Sequence, residues 1–225
     1  MSGQRAPSFD IRAISLTEAR PLILAHHAYA SVGASATYAF GVHEGGALVA
    51  CYVWQPPAPG AARSVCPEEP AGVLALSRMA ARPREARRLR HISKPLRRQM
   101  RSLIDRGRWP VLVTYHDEGL GHTGHVYKCS GWTPTTRARR PVFTDESGAR
   151  ASSYSNGRHG GRSLTRSGST LIQRWEKWAC PRGGAAVHMA ESGWVREPIP
   201  GKVWRSGNQA HRWVNTKSTA ERSAT

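Results

Sequence analysis

At 225 residues, 39% of them hydrophobic and 21% charged, the chain is long enough for one full core and a small second lobe, and too apolar to stay disordered. Its formal net charge is +18, from 33 Lys and Arg against 15 Asp and Glu. No apolar run approaches the roughly 18 residues a bilayer span needs, and Met1 to Asp10 lack the charged head and apolar core of a secretory leader, so a cytoplasmic protein with no membrane partner is expected.

Taken in chain order, Thr17 is expected to cap a first helix, with Glu18 and Pro21 in its opening turn, running to His26 and His27. Tyr38 to His43 and Ala47 to Trp54 read as two strands joined by the turn Glu44-Gly45-Gly46. Gln55 to Pro70, rich in Pro and Ala, reads as a loop, and Val73 to Met79 as a third strand. Ser93 is expected to cap the next helix, where Leu96, Met100, Leu103 and Ile104 fall at i, i+4, i+7 and i+8 and leave Arg97, Arg98 and Arg101 outward. Gly107 should end it. Val111 to Tyr115 is a short strand, and Gly124 to Ser130 a helix closed by Gly131. Beyond Thr133 a hairpin around Glu146 to Gly148 is expected, then a mobile Ser-, Gly- and Arg-rich stretch from Ser153 to Ser169, and a short helix from Leu171 to Trp178. The order helix, hairpin, strand, helix, strand, helix implies a mixed α/β sheet flanked by helices. It occupies residues 1–135, with 136–225 a basic, partly irregular C-terminal extension.

The charge is unevenly placed. Residues 1–75 hold four basic and five acidic side chains, whereas 76–225 hold 29 and 10. Arg78 to Arg108 alone carries 12 Lys or Arg against Glu85 and Asp105. An arginine-rich proteome would explain the ratio of Arg to Lys but not a surplus confined to part of the chain. A polyanionic partner explains it better, and DNA is the commonest. Arg97, Arg98 and Arg101, with Lys202 and Arg205 in the tail, are the expected nucleic-acid contacts. Cys51, Cys66, Cys129 and Cys180 have no zinc-ribbon or redox spacing; Cys51 lies in an apolar run and reads as a buried thiol.

The order of elements resembles the GNAT acetyltransferase superfamily, as does the ending of the last helix, where Tyr127 precedes Gly131 and Trp132. A narrower likeness rests on Leu76, Ser77 and Arg78, then Ser93, then Thr114 to Asp117, and above all on Gly121-His122-Thr123-Gly124-His125-Val126-Tyr127 closed by Trp132. With His27 and Tyr29 ahead of Phe40 and Gly41, this pattern resembles the Mom family of phage DNA-modification proteins over about residues 20–135. The resemblance implies a GNAT-like fold and an enzyme that converts adenine in DNA to a methylcarbamoyl derivative, hiding it from host restriction. It implies His27, Tyr29, Asp117 and Tyr127, with His122 next, as catalytic residues. Arg78 and Ser93 become candidates for holding an acyl-CoA such as acetyl-CoA, and His27 and Asp117 for holding a metal ion.

Beside that resemblance, the residues read on their own as follows. Arg78 ends an apolar strand, where a planar permanent cation suits a phosphate or carboxylate. Asp117 follows a strand and should sit in a loop at the end of a sheet, where α/β proteins bind ligands, with Tyr127 facing the same cleft. His26, His27, His116, His122 and His125 with Asp117 form a candidate acid–base or metal set. The segment Arg82 to Arg87 lacks the glycines with which GNAT enzymes cradle a pyrophosphate, leaving the helix N-terminus near Ser93 and nearby arginines to receive an anion. Adenine must leave the stack to react, and Trp54, Trp132, Trp175 and Trp178 are candidates to replace its stacking. Methylcarbamoyl transfer also needs a nitrogen between carbonyl and methyl, which plain acyl transfer does not bring. Two other functions fit the same residues: an ordinary GNAT acyltransferase acting on a protein or small-molecule amine, and a non-catalytic DNA-binding protein on a GNAT scaffold.

Overall fold

A computed structural model describes residues 9–29, 33, 35–67, 69–83, 89–106, 108–146, 148, 150–151, 164–178, 194–203 and 209–215. Strand β1 (Asp10–Ala13) leads into helix α1 (Leu16–His26). The cap of α1 is Ser15, not Thr17. Its hydroxyl accepts from the Glu18 N–H at 3.1 Å while the Glu18 carboxylate accepts from the Ser15 N–H at 2.7 Å, a reciprocal capping box. The start moves back two residues, so Pro21 lies beyond the first turn.

Strands β2 (Tyr38–Glu44) and β3 (Ala47–Gln55) form the expected hairpin. Gly45 and Gly46 both adopt positive φ, at 57° and 83°, which a two-residue hairpin turn demands and residues with a Cβ resist. The expected loop after β3 contains a short helix, α2 (Pro59–Val65), with Pro59 at its first position, where a missing N–H costs nothing. Strand β4 (Val73–Ala81) follows, then α3 (Leu89–Asp105) and β5 (Val111–Asp117), which runs parallel to β4. Helix α3 begins four residues before Ser93, so Ser93 is inside it and buried rather than at its cap. The stop expected at Gly107 lies outside the described residues. Helix α4 (His125–Ser130) ends on Gly131 in the left-handed conformation, as expected.

The largest correction lies beyond residue 133. Strands β6 (Thr133–Thr144) and β8 (Thr165–Trp178) belong to the main sheet, joined by the two-residue β7 (Arg150–Ala151). Among the described residues the sheet has eight strands in the order β1-β2-β3-β4-β5-β8-β6-β7. The boundary expected at residue 135 therefore falls inside β6, and the sheet runs through it. Leu171 to Trp178 is strand rather than helix because β5 offers it a full antiparallel edge, from Val111↔Trp178 to Asp117↔Ile172. That long-range pairing overrides the helix-like spacing of Leu171, Trp175 and Trp178. The hairpin expected near residue 147 exists, pairing Thr144 with Arg150. Residues 165–169 of the stretch expected to be mobile are strand, and 152–163 lie outside the described residues. In the tail, β9 (Trp194–Val203) and β10 (Gln209–Asn215) pair with each other.

Alternation along the strands gives the sheet two faces. On the first, Val73, Ala75, Val111 and Val113 pack with Ala62 and Val65 of α2, while Cys51, Val53 and Ala80 pack with Ala19 and Ile23 of α1. On the second, Tyr52, Trp54, Leu74 and Leu112 pack with Leu96, Met100 and Leu103 of α3 and Tyr127 of α4. The exposed side of α3, carrying Lys94, Arg97, Arg98 and Arg101, points away from the sheet as expected. Of the four cysteines, Cys51 and Cys66 are buried, Cys129 is exposed, and none of the three is in a disulfide; Cys180 lies outside the described residues. No helix among the described residues is long and apolar enough to cross a membrane.

Leu96 is fully buried and its neighbour Arg97 exposed. Leu96→Ala should therefore cost about 2–5 kcal/mol in urea unfolding, and Arg97→Ala less than about 0.5 kcal/mol. Equal losses would place the helix face wrongly.

Candidate active site

Strands β4 and β5 pair over three residues only, Val73↔Val111 to Ala75↔Val113. Both run on, to Ala81 and Asp117, but apart. The ladder of β3 with β4 slips between Val53↔Arg78 and Trp54↔Leu76, a bulge that turns β4 away from β5. The last link is a hydrogen bond from the Thr114 hydroxyl to the Leu76 carbonyl at 3.2 Å. Beyond it the C-terminal halves of two parallel strands leave a gap, the place where open α/β sheets bind ligands.

Asp117 lies at this gap on the first face, 4% exposed. Its Oδ1 accepts from the Gly119 N–H at 2.9 Å and from the Thr170 hydroxyl; its Oδ2 accepts from the Tyr29 hydroxyl at 3.1 Å and from the Arg150 guanidinium at 2.7 Å. A carboxylate has about four lone-pair sites, and all are used. Asp117 so placed anchors a loop, β7, β8 and Tyr29 at one point, so it carries part of the fold as well as lying in the site. A Cβ at Gly119 would stand 2.4 Å from the Thr170 Oγ1, so only glycine lets this backbone approach.

Tyr29 and His27 come from the segment after α1. His27 Nδ1 lies 3.1 Å from both the Tyr29 N–H and the Tyr29 carbonyl, accepting from the first in one tautomer and donating to the second in the other. Burial, then the Arg78 guanidinium and His122, push the His27 pKa down to about 4, against the opposing effect of the bond to the Tyr29 backbone. At neutral pH His27 is thus an uncharged N–H donor. Burial first, and then the Asp117 charge, raise the Tyr29 pKa, so its hydroxyl keeps its proton. Arg78 stands close enough to both to act on their ionisation, and burial lowers its own pKa without discharging a guanidinium. His122 is exposed at the mouth of the gap and influences both His27 and His116.

Tyr127 does not share this face. It packs on the second face of β5, stacked on His116 at 6.2 Å and against Trp132 and Trp175. Its hydroxyl is hydrogen-bonded with that of Thr114, at the point where the strands part, and burial raises its pKa. Asp117 and Tyr127 are therefore on opposite sides of one strand, facing one gap. His116 is held neutral by burial, and its Nδ1 accepts from the Trp175 indole N–H at 2.7 Å, a donor that an imidazolium would oppose. Gly124, at φ 67°, makes this contact possible: a Cβ there would lie 2.4 Å from the Trp175 ring and 2.7 Å from His116. That explains one glycine of the Gly121 to Tyr127 stretch.

Ser93 is apart from the Asp117 cluster, its carbonyl accepting from the Ser130 hydroxyl at 3.2 Å. His125 pairs with Cys129 at 3.2 Å. Trp54, Trp132 and Trp175 are buried, and Trp178 packs beside α2, so none presents an open ring for a base. Lys202 is on β9, but its side chain, like all of Arg205, lies outside the described residues. Among the described residues no three His, Cys, Asp or Glu side chains are grouped to hold a metal. Arg150 and Thr170 were not legible in the sequence: they reach Asp117 from 33 and 53 residues away.

The Mom protein family matches residues 8–177, three quarters of the chain. The chain belongs to the Mom protein family. The match runs through β6 and nearly all of β8, as the sheet does. No curated protein is similar to it in sequence. Among solved structures, the ribosomal-protein-S18-alanine N-acetyltransferase of Escherichia coli superposes with a TM-score of 0.51 at 14% identity, over 79% of this chain and 97% of that one. An N-acetyltransferase from Staphylococcus aureus (TM-score 0.47, 11% identity, 76% and 99% covered) and an IAA acetyltransferase from Bacillus cereus (0.46, 13%, 76% and 100%) are also similar. At such identities what is shared is the fold. This Mom-family chain has the GNAT acetyltransferase fold, as its order of elements implied.

In the unfolded chain His27 takes a proton near pH 6.5; in the folded chain it resists until about 4. Stability is therefore full above pH 6.5 and falls as pH drops from there toward 4, since only the unfolded state binds the proton. NMR titration should place His27 near 4, and His27→Gln should remove one proton's worth of slope from stability against pH in that window. A His27 titrating at 6.5 would refute the buried, neutral donor.

Proposed function

We propose that this protein modifies adenine in DNA by a Mom-type reaction to a methylcarbamoyl-type derivative, in which the 6-amino nitrogen bonds to an activated carbonyl as a thiol leaves and a nitrogenous co-substrate brings the methylcarbamoyl nitrogen. The observation that carries the reading is the gap between β4 and β5 in a Mom-family chain, with Tyr29, His27 and Arg78 on one face and Tyr127 on the other. Acyl-CoA fits that gap. Beyond Ala75 the β4 main chain has no ladder partner in β5, which suits an extended pantetheine arm, and Arg78 offers a cation to an anionic donor. Bound there, the coenzyme would supply an activated acyl carbonyl.

The chain's own groups then divide the work. The adenine amino group is weakly nucleophilic, so it needs an oriented acceptor for its N–H and a donor for the oxygen that gains charge. The Tyr29 hydroxyl, fixed by its bond to Asp117, has lone pairs to accept the amino N–H. His27, in the tautomer whose Nδ1 accepts from the Tyr29 N–H, and the Arg78 guanidinium would meet the developing oxyanion without a change of protonation. Tyr127, whose hydroxyl keeps its proton, would protonate the leaving group from the second face. Asp117 acts through Tyr29 and is a positioning residue.

Co-expression with a plasmid, followed by mass spectrometry of its digested nucleosides, should reveal a modified deoxyadenosine and a plasmid resistant to restriction. Tyr29→Phe and Tyr127→Phe should each lower the modified adenine about a hundredfold, with stability changed by about 1 kcal/mol, the worth of one hydrogen bond. Asp117→Asn should lose both activity and about 3 kcal/mol, because an amide offers donors to a site already full of donors. Unmodified DNA together with acetylation of free amines would indicate an ordinary acyltransferase; unmodified DNA bound tightly would indicate a binding protein.

A further inference from the structure

Strand β8 is twice the length of β5, and β5 ends at Asp117↔Ile172. Residues 165–171 of β8 therefore run past the sheet beside the gap, paired only with β6. This two-stranded ribbon projects by roughly 20 Å at 3.3 Å per residue. Its residues 137–141 and 165–169 are exposed on both sides, and among the described residues no helix covers either face. Residues 137–144 and 165–171 carry Arg137, Arg139, Arg140 and Arg166 and no carboxylate. Arg137 is paired with Glu118, while Arg139 donates to the neutral Ser169 hydroxyl at 3.2 Å.

The first face beside the ribbon is open as well. Tyr115, two residues before Asp117 on the same face, is 40% exposed, and among the described side chains it is the only exposed Tyr, Trp or Phe. Arg174 lies opposite it across the β5–β8 ladder and is held by Glu176, at 2.9 Å, and by the Ser64 hydroxyl of α2, at 3.1 Å. Arg140, opposite Thr170, shares this face.

The arginine stripe of α3 has a different position. Helix α3 packs on the second face, and Arg97, Arg98 and Arg101 stand one helix diameter, about 10 Å, beyond it. A duplex lying on them would be separated from Tyr29, His27 and Asp117 by the helix and the sheet.

We infer that duplex DNA docks on the first face, with the β6–β8 ribbon along a groove and Tyr115 against a base next to the target adenine, and not on the stripe of α3. This rests on adenine in DNA being the substrate. The chemistry is complementary: a two-stranded ribbon fits the major groove, the arginines neutralise phosphates, and an aromatic ring stacks on any base that is unstacked when its neighbour leaves. The same ring supplies what the four tryptophans cannot.

The test is the affinity of the full chain for a fluorescent duplex, by anisotropy, across a salt series. Replacing Arg139, Arg140 and Arg166 together with Ala should weaken binding by at least tenfold and flatten the slope of log affinity against log salt by about 2–3; Lys at the same positions should restore both. Tyr115→Ala should cost on the order of tenfold with the slope unchanged, and Tyr115→Phe nothing. Replacing Lys94, Arg97, Arg98 and Arg101 with Ala should change affinity less than about threefold. Loss of binding in the α3 variant with an unaffected ribbon variant would overturn the inference while leaving DNA as the substrate. So would a ribbon variant that binds as the parent does but self-associates, which would make the arginines guards of an open strand edge. A parent chain with no affinity for duplex DNA at low salt would remove the DNA reading itself.

Discussion

Two parallel strands that hold each other for three residues and then separate decide most of what this molecule can do. Parallel pairing needs a long crossover, supplied here by α3. The crossover leaves β4 and β5 adjacent at their N-terminal ends, and the bulge at Ser77 and Arg78 then turns β4 aside. The gap opens a sheet that is otherwise paired from β1 to β7. Asp117 at the end of β5 lies on one side of it, and Tyr127 of α4, stacked on His116, on the other. A sheet without the bulge would let β4 stay paired with β5 beyond Ala75 and close the gap.

Asp117 turns this gap into a defined site. One carboxylate gathers a backbone N–H, two hydroxyls and a guanidinium from four separate pieces of chain. A buried carboxylate is costly unless its lone pairs are met, and here each donor is itself positioned by the meeting. Tyr29 gains a fixed orientation, and Arg150 brings the end of the β6–β7 hairpin to the cleft. The consequence for chemistry is a division of roles. The ion fixes geometry, while the proposed chemistry falls to Tyr29, His27 and Arg78.

Local patterns in the sequence were read correctly where local physics governs. The hairpin at Gly45 and Gly46, the buried face of α3 and the close of α4 at Gly131 depend on neighbours within a few residues. Thr17 and Ser93 show the limit of that reading: Ser15 caps the first helix through its capping box with Glu18, and the other helix begins at Leu89, four residues before Ser93. Of the site, His27, Tyr29, Arg78 and Asp117 were legible through the family pattern. Arg150, Thr170 and Tyr115 were not, because their importance arises from β8 inserting beside β5, and nothing local announces a pairing between residues 55 or more apart. The same insertion turned an expected helix into the longest strand.

It also gives the charge asymmetry of the chain a spatial meaning. The first 75 residues, with a net charge of −1, build β1, β2, β3, α1, α2 and the start of β4. Residues 76–225, with a net charge of +19, include the rest of β4 and α3, β5, α4, β6, β7, β8, β9 and β10. In the sheet these two sets meet at the gap between β4 and β5, so the site lies at the border between a nearly neutral half and a strongly basic one. If the proposed substrate is right, DNA drawn to the basic half reaches Tyr29 and His27 at this border without crossing the nearly neutral half. If β8 and β6 formed a separate appendage, the positive charge would be tethered to the site only loosely. As strands of the same sheet they hold it at a fixed distance from Asp117, and a base-modifying site needs that constraint, since the target must be presented in one register before it can leave the stack.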